Sequence, residues 1–205
     1  MTGDIEYFYS VRSIYAYFGA ARLVAMAKRF GRRLVHRPVD LSKVVPAFGS
    51  VWFLDRPPVH TAYHFGREIE RWSEYLAIPA LVDPKHHYGD RTLPSGLVLA
   101  AQEAGANVDA LHEGVLTALW RDDRDIADPA ILAGLCRAAG IADPAPLLAR
   151  ALSPAIQTAF DACSARAIEA RVPGSPTYVV DGELFYGQDR LMMVERHLER
   201  PFRRA

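Results

Sequence analysis

The chain has 205 residues, half of them apolar, with 24 basic and 24 acidic side chains that cancel. That length suits one globular unit, or one domain carrying an insertion. The balanced charge gives no electrostatic case for nucleic acid, which a clustered basic surface would signal, and no apolar run approaches the roughly 20 residues of a membrane span.

The first predicted element is a strand at Ile5-Glu6-Tyr7-Phe8-Tyr9, followed by a turn at Ser10-Val11-Arg12-Ser13. From Ile14 to Phe30 the apolar positions Tyr15, Phe18, Ala21, Leu23, Ala25, Met26 and Phe30 follow a helical period. Ser13 stands where an N-cap belongs. Arg33 to Val39 reads as a second strand, completing a β-α-β unit. A helix from Thr61 to Leu76 follows from Phe65, Ile69, Trp72 and Leu76. Further helices are expected at Pro94–Ala104, Asp109–Arg121, Pro129–Ala139 and Pro144–Arg171, the last broken or kinked at Ser153-Pro154. Asp109, Asp128 and Asp143 read as N-caps, and Gly105 and Gly140 as C-terminal stops. The chain ends in a hairpin turning at Asp181-Gly182 and a helix at Leu191–Leu198.

Pro176 stands at the entrance of the hairpin's first strand, in Gly174-Ser175-Pro176-Thr177. Proline cannot donate to a sheet ladder and is tolerated at such an entrance; it is there a candidate for a cis bond. The two cysteines, Cys136 and Cys163, fit no metal or redox spacing and read as buried thiols. His86-His87 beside Asp83 and Asp90 match no ligand motif and read as loop surface, and His60/His64 lack an evident third ligand, so no metal is expected. The N-terminus carries no basic segment followed by an apolar run, so a cytoplasmic protein is expected.

These segments resemble the 2-hydroxychromene-2-carboxylate isomerases and kappa-class glutathione transferases, within the DsbA-like branch of the thioredoxin superfamily. Phe8 to Tyr15 is similar to the family's strand followed by Ser-Pro-Tyr-Ser. Gly174-Ser175-Pro176-Thr177 and Gly187-Gln188-Asp189-Arg190-Leu191 are similar to its Gly-x-Pro-Thr and Gly-x-Asp-Arg segments, and Arg67–Trp72 and Leu119–Ile126 also match. The resemblance implies a thioredoxin-like α/β core with an all-helical insertion. The core would take residues 1–60 and 166–205, the insertion residues 61–165. Where a redox thioredoxin carries Cys-x-x-Cys, this chain has Ser13-Ile14-Tyr15-Ala16, so thiol–disulfide exchange is excluded at that site.

What remains is a hydroxyl, a helix N-terminus and a facing proline loop, a place to hold another molecule's thiolate. By resemblance the cofactor is glutathione. Ser13 would donate to its thiolate, with Ser10 the competing serine. Ser175 and Pro176 would offer backbone to its cysteinyl part, Asp189 would take the γ-glutamyl ammonium, and Gln188 or the helix N-terminus its carboxylate. Each residue also has a plain structural reading, as N-cap, turn or helix cap. Ile14 and Ala16 depart from the family's proline and second serine, and Phe48 to Pro58 replaces a loop that usually supplies Gly-Asn. Tyr15, Ser50 and Trp52, with Phe48 and Phe53, are expected to wall an apolar pocket for a small-molecule substrate, or else to serve as core or dimer contacts. The resemblance implies a glutathione-dependent cis–trans isomerase acting on an aromatic-derived acid, and a homodimer. A kappa-type transferase and a non-enzymatic peptide-binding module are the alternatives.

Overall fold

The computed structural model describes residues 3–203. Its elements in chain order are β1 (Ile5–Tyr9), α1 (Ile14–Arg29), β2 (Leu34–Pro38), α2 (Leu41–Ala47), α3 (Pro58–Ala62), α4 (Glu68–Leu76), α5 (Thr92–Glu103), α6 (Val108–Trp120), α7 (Pro129–Ala138), α8 (Ala145–Ala151), α9 (Pro154–Glu169), β3 (Thr177–Val180), β4 (Glu183–Tyr186) and α10 (Leu191–Glu199). The strands form one mixed sheet in the order β2-β1-β3-β4. β1 pairs parallel with β2, Ile5 opposite Leu34, and antiparallel with β3, Phe8 opposite Thr177. The β3–β4 hairpin turns on Asp181 and Gly182, both at positive φ (50° and 82°), as a two-residue turn matched to strand twist requires.

β1 is one of the two interior strands, and its alternate side chains serve two cores. Ile5, Tyr7 and Tyr9 face a cluster with Phe18 and Leu23 of α1 and Leu111 and Val115 of α6. Phe8 faces the other, with Val44 of α2, Leu99 of α5 and Ile156, Phe160 and Cys163 of α9. Both cysteines are buried free thiols. Helices therefore cover the sheet on both sides, which leaves the strand ends and their loops as the open surface.

Some boundaries differ from the sequence expectation for local reasons. The helix expected from Thr61 begins at Pro58 and passes through a π turn at Tyr63–Arg67. The cap of α6 is Asn107, whose side chain accepts from Ala110 N, not Asp109; the Asp109 carboxylate instead meets His36 Nε2 at 2.8 Å. Ser153 caps α9 and separates it from α8, so Ser153-Pro154 is a full break. The short helix α2, capped by Asp40, carried no periodicity long enough to be read in advance.

Under the sheet, β1 and α6 enclose a polar network: the Tyr9 hydroxyl lies 3.0 Å from His36 Nδ1 and the Tyr7 hydroxyl 3.2 Å from His112 Nε2. Burial, reinforced by His36, pushes the His112 pKa well below that of an ordinary histidine. His112 is thus neutral in the native state and protonates more readily once unfolded. Below the unfolded value near 6.5 the unfolded state binds the extra proton, so stability must fall with falling pH, by up to about 1.4 kcal/mol per pH unit for such a group. Denaturant melts of His112→Asn between pH 7 and 5.5 should show a shallower pH slope than the wild type; an unchanged slope would contradict this.

Gly96 marks a close contact between α5 and α8. A Cβ built there would stand 2.1 Å from the Ala151 carbonyl oxygen of α8, which is backbone and cannot swing away. Gly134, exposed in mid-α7, has open space around it. Alanine normally improves a helix interior by roughly 0.5–1 kcal/mol over glycine. Thermal melts should therefore show Gly134→Ala stabilising by about that amount and Gly96→Ala destabilising by about 1–3 kcal/mol; a stabilised Gly96→Ala would refute the close contact.

Candidate functional site

Because β1 and β3 are antiparallel neighbours, the turn that leaves β1 meets the loop that enters β3. The Ser10 amide donates to Ser175 Oγ at 3.0 Å, and the Arg12 amide to Ser10 Oγ at 3.3 Å. The Ser175–Pro176 peptide is cis. Thr177 Oγ1 donates to the Gly174 carbonyl at 2.8 Å, and the Gly187 amide to the Pro176 carbonyl at 2.9 Å. The proline loop is thereby held on both sides.

Ser13 caps α1. Its Oγ accepts from the Ala16 amide at 3.2 Å, while its hydroxyl reaches the Ser175 carbonyl only at 3.5 Å. That second contact sits at the outer limit of a hydrogen bond, so the hydroxyl proton is weakly committed and free to turn toward a stronger acceptor. The cap leaves other first-turn amides of α1 without helical partners, and the positive end of the helix dipole adds to them. An anion beside Ser13 would be stabilised by both.

Ser13, Ser175, Tyr15 and Trp52 line one cavity. Its apolar wall adds Phe53, Phe65 and Tyr88; Phe53 packs edge-on against Trp52 with centroids 4.5 Å apart and roughly parallel to Tyr88 at 6.5 Å. The Tyr15 hydroxyl donates to the His64 carbonyl at 2.6 Å, and burial raises its pKa above that of an ordinary tyrosine. Ser50 and Phe48, from the same rebuilt loop, do not line the cavity.

The cavity also takes residues that the sequence did not assign to it: Arg12, Arg56 and Arg91, and His64 and His87, which it raises only as candidate metal ligands. His87 is not loop surface. It packs on Trp120 at 4.6 Å between ring centroids, and burial followed by the charge of Arg12 pushes its pKa down to about 4. Nothing local announces this; the segment before α5 is folded over the cavity by tertiary bonds, Leu81 N to Trp120 O at 2.8 Å and Arg12 Nη1 to Gly89 O at 2.7 Å. Among the described residues, no group of three or more His, Cys, Asp and Glu side chains is placed to hold a metal ion.

Gln188 and Asp189 lie in the 3-10 turn that leads into α10. They do not line the cavity. The Gln188 side chain is buried, and its Oε1 accepts from Arg22 of α1. Close approach here depends on Gly19, where a Cβ would come 2.9 Å from the Tyr178 hydroxyl and 3.1 Å from Gln188 Cβ. Asp189 pairs with Arg190 and lines a separate groove with Arg22, Arg71, Trp72 and Tyr75. Tyr15 stands between the two: it lines the cavity, and its hydroxyl feels the charges of Glu68 and Asp189 in the groove.

No helix among the described residues is long and apolar enough to cross a membrane. The chain is 29% identical over 191 residues to a 2-hydroxychromene-2-carboxylate isomerase of Pseudomonas sp. (strain C18), covering 93% of this chain and 88% of that protein. Its fold is similar to that of a solved 2-hydroxychromene-2-carboxylate isomerase, with a TM-score of 0.80 at 24% identity over 96% of this chain and 94% of the other. It is also similar to the cytosolic disulfide reductase DsbM from Pseudomonas aeruginosa, solved with GSH, with a TM-score of 0.66 at 20% identity over 97% and 93% of the two chains. The family model of the DSBA-like thioredoxin domain matches residues 4–199. With its mixed four-stranded sheet covered by helices on both faces, the chain belongs to the family of DSBA-like thioredoxin domains.

Proposed function

We propose that the protein is a glutathione-dependent cis–trans isomerase that acts on an aromatic-derived carboxylic acid; of this reading, the name of its relatives, 2-hydroxychromene-2-carboxylate isomerase, supports an isomerase and a carboxylate. The observation that carries this reading is a serine-capped helix N-terminus that opens on the cavity and carries no thiol of its own. Ser13 caps α1 opposite Ser175, beside an aromatic cavity, at the position where a redox thioredoxin would carry cysteine.

In this reading the Ser13 hydroxyl and the N-terminus of α1 stabilise the glutathione thiolate. The Ser175 backbone pairs with the cysteinyl residue in the manner of an added strand, positioned by the buried Pro176. The groove beside Tyr15 takes the γ-glutamyl end, with Asp189 on its ammonium. Gln188 is buried against Arg22, so Arg22 is the charge that faces the γ-glutamyl carboxylate and Gln188 holds it there. Neither the metal-ligand chemistry of histidine nor a protein thiolate is needed for any step.

The chemistry balances without loss of glutathione. Bound glutathione would supply a thiolate for reversible addition to a conjugated carbon of the acid, so that the former double bond could turn while single and glutathione would be released unchanged. The protein supplies thiolate stabilisation and positioning.

A free thiol titrates near about 8.5, and a shift of one unit corresponds to about 1.4 kcal/mol, the size of one charge-assisted hydrogen bond. Thiolate absorbance of bound glutathione, followed against pH, should therefore give a pKa at least about one unit below the free value in the wild type. Ser13→Ala should raise it by about one unit, with a loss of about 1 kcal/mol of stability from the missing cap. In calorimetry Asp189→Ala should weaken glutathione binding about tenfold or more. No binding at millimolar glutathione, or a bound thiol unmoved by Ser13→Ala, would overturn the proposal; stoichiometric consumption of glutathione during turnover would convert it into a transferase.

A further inference from the structure

Arg12 lies in the turn between β1 and α1, between the two serines that frame the cavity, and its side chain lines that cavity. It is partly buried. One guanidinium nitrogen donates to the Gly89 carbonyl at 2.7 Å. Among the described residues it has no carboxylate within ion-pair distance, because the acids nearest to it are engaged elsewhere. Asp40 takes Arg91 at 2.6 Å and caps α2 through the Ser42 amide at 2.9 Å. Asp90 takes the Thr92 hydroxyl at 2.8 Å and the Thr92 amide at 3.1 Å.

The charge of Arg12 is therefore left without a counterion in a partly dry place. Burial, then the neighbouring Arg91, lowers its pKa from the usual arginine value, yet a guanidinium stays protonated in proteins. A charge that is removed from water and unpaired is costly to keep, unless an anion arrives to meet it. His87, neutral beside it, offers no negative charge. The rest of the cavity says what kind of anion fits. Its wall is aromatic, with Trp52, Phe53, Phe65 and Tyr88.

We propose that Arg12 is the carboxylate-recognition residue of this cavity, taking the acid group of an aromatic carboxylate whose ring lies against Trp52, Phe53 and Tyr88. The fork of the guanidinium suits a carboxylate with two parallel hydrogen bonds. With the acid group fixed at Arg12, on the turn that also carries Ser13, the conjugated chain of the acid is held beside the place of the thiolate. Arg12 thereby sets specificity for acids over uncharged aromatics. The assignment rests on the reading of this cavity as the substrate site.

The test uses the full chain and two probes, 2-hydroxybenzoate and its uncharged analogue 2-hydroxybenzamide, titrated calorimetrically without glutathione. The wild type should bind the carboxylate at least tenfold more tightly than the amide. Arg12→Met should erase that preference while leaving amide binding within about twofold, and Arg12→Lys should keep part of it. Melting curves establish that the variants fold, and the wild-type comparison needs no variant at all. Equal affinity for the two probes in the wild type would overturn the proposal. So would a preference that survives in Arg12→Met and disappears in Arg91→Met or Arg56→Met. Because these probes need no glutathione, a failure of glutathione to bind would defeat the proposed function and leave this result standing, whereas loss of the acid preference with glutathione still bound would defeat this assignment alone.

Discussion

Everything at the site depends on β3 pairing antiparallel with β1. The pairing sets Phe8 opposite Thr177, so the turn after one strand and the loop before the other must meet at the same edge of the sheet. The Ser10 amide and Ser175 Oγ, 165 positions apart in the chain, close the contact at 3.0 Å. Once they are joined, Ser13 can only cap α1 within reach of Ser175. The helices between the two segments, α5 and α9 against β2, α9 also against α2, and α6 against α1, serve to keep that edge in register and to cover both faces of the strand that carries it.

Two electrostatic decisions follow from this frame. The first is that Ser13 divides its hydroxyl between a good cap and a poor donor contact. A residue that spends its acceptor on the helix and leaves its donor weakly bound is prepared for an anion before one arrives, so little reorganisation is required when it binds. The second is the separation of positive charges. Arg91 has Asp40 and Arg190 has Asp189, while Arg12 faces the cavity without such a partner. The histidines of the cavity add little positive charge to it: burial lowers the pKa of both His64 and His87. The result is a cavity with an aromatic wall, arginines at Arg12, Arg56 and Arg91 of which Arg91 is paired with Asp40, and an anion-stabilising helix terminus.

The strands, α1, the caps at Asp128 and Ser153 and the Asp181-Gly182 turn were legible in the sequence because each rests on local chemistry: alternation, helical period, a side-chain acceptor at a helix start, residues that tolerate positive φ. That Ser13, Ser175 and Trp52 stand around one cavity was legible because local motifs and a family resemblance placed them on facing loops. What escaped depended on contacts between distant segments. His87 reads as loop surface until the chain before α5 is folded onto Trp120. Asp109 looks like a cap by position, but Asn107 is better placed for Ala110, and Asp109 is drawn to His36. Gln188 looks like a free amide at a helix start; the missing side chain of Gly19 lets that turn sink against α1, where Arg22 takes the amide oxygen. Ser50 sits in the right loop and outside the cavity, a distinction that a strand-and-helix reading has no means to draw.

The central claim is that this site holds another molecule's thiolate between a capped helix and a proline loop. The measurement that tests it most directly is a structure of the protein crystallised with reduced glutathione, with the cysteinyl sulfur located by its anomalous signal. The account predicts the sulfur within about 3.5 Å of Ser13 Oγ, with the cysteinyl backbone paired to that of Ser175 and the γ-glutamyl end in the groove of Asp189. Glutathione bound elsewhere, or a sulfur turned away from Ser13 with its peptide unpaired from Ser175, would contradict it.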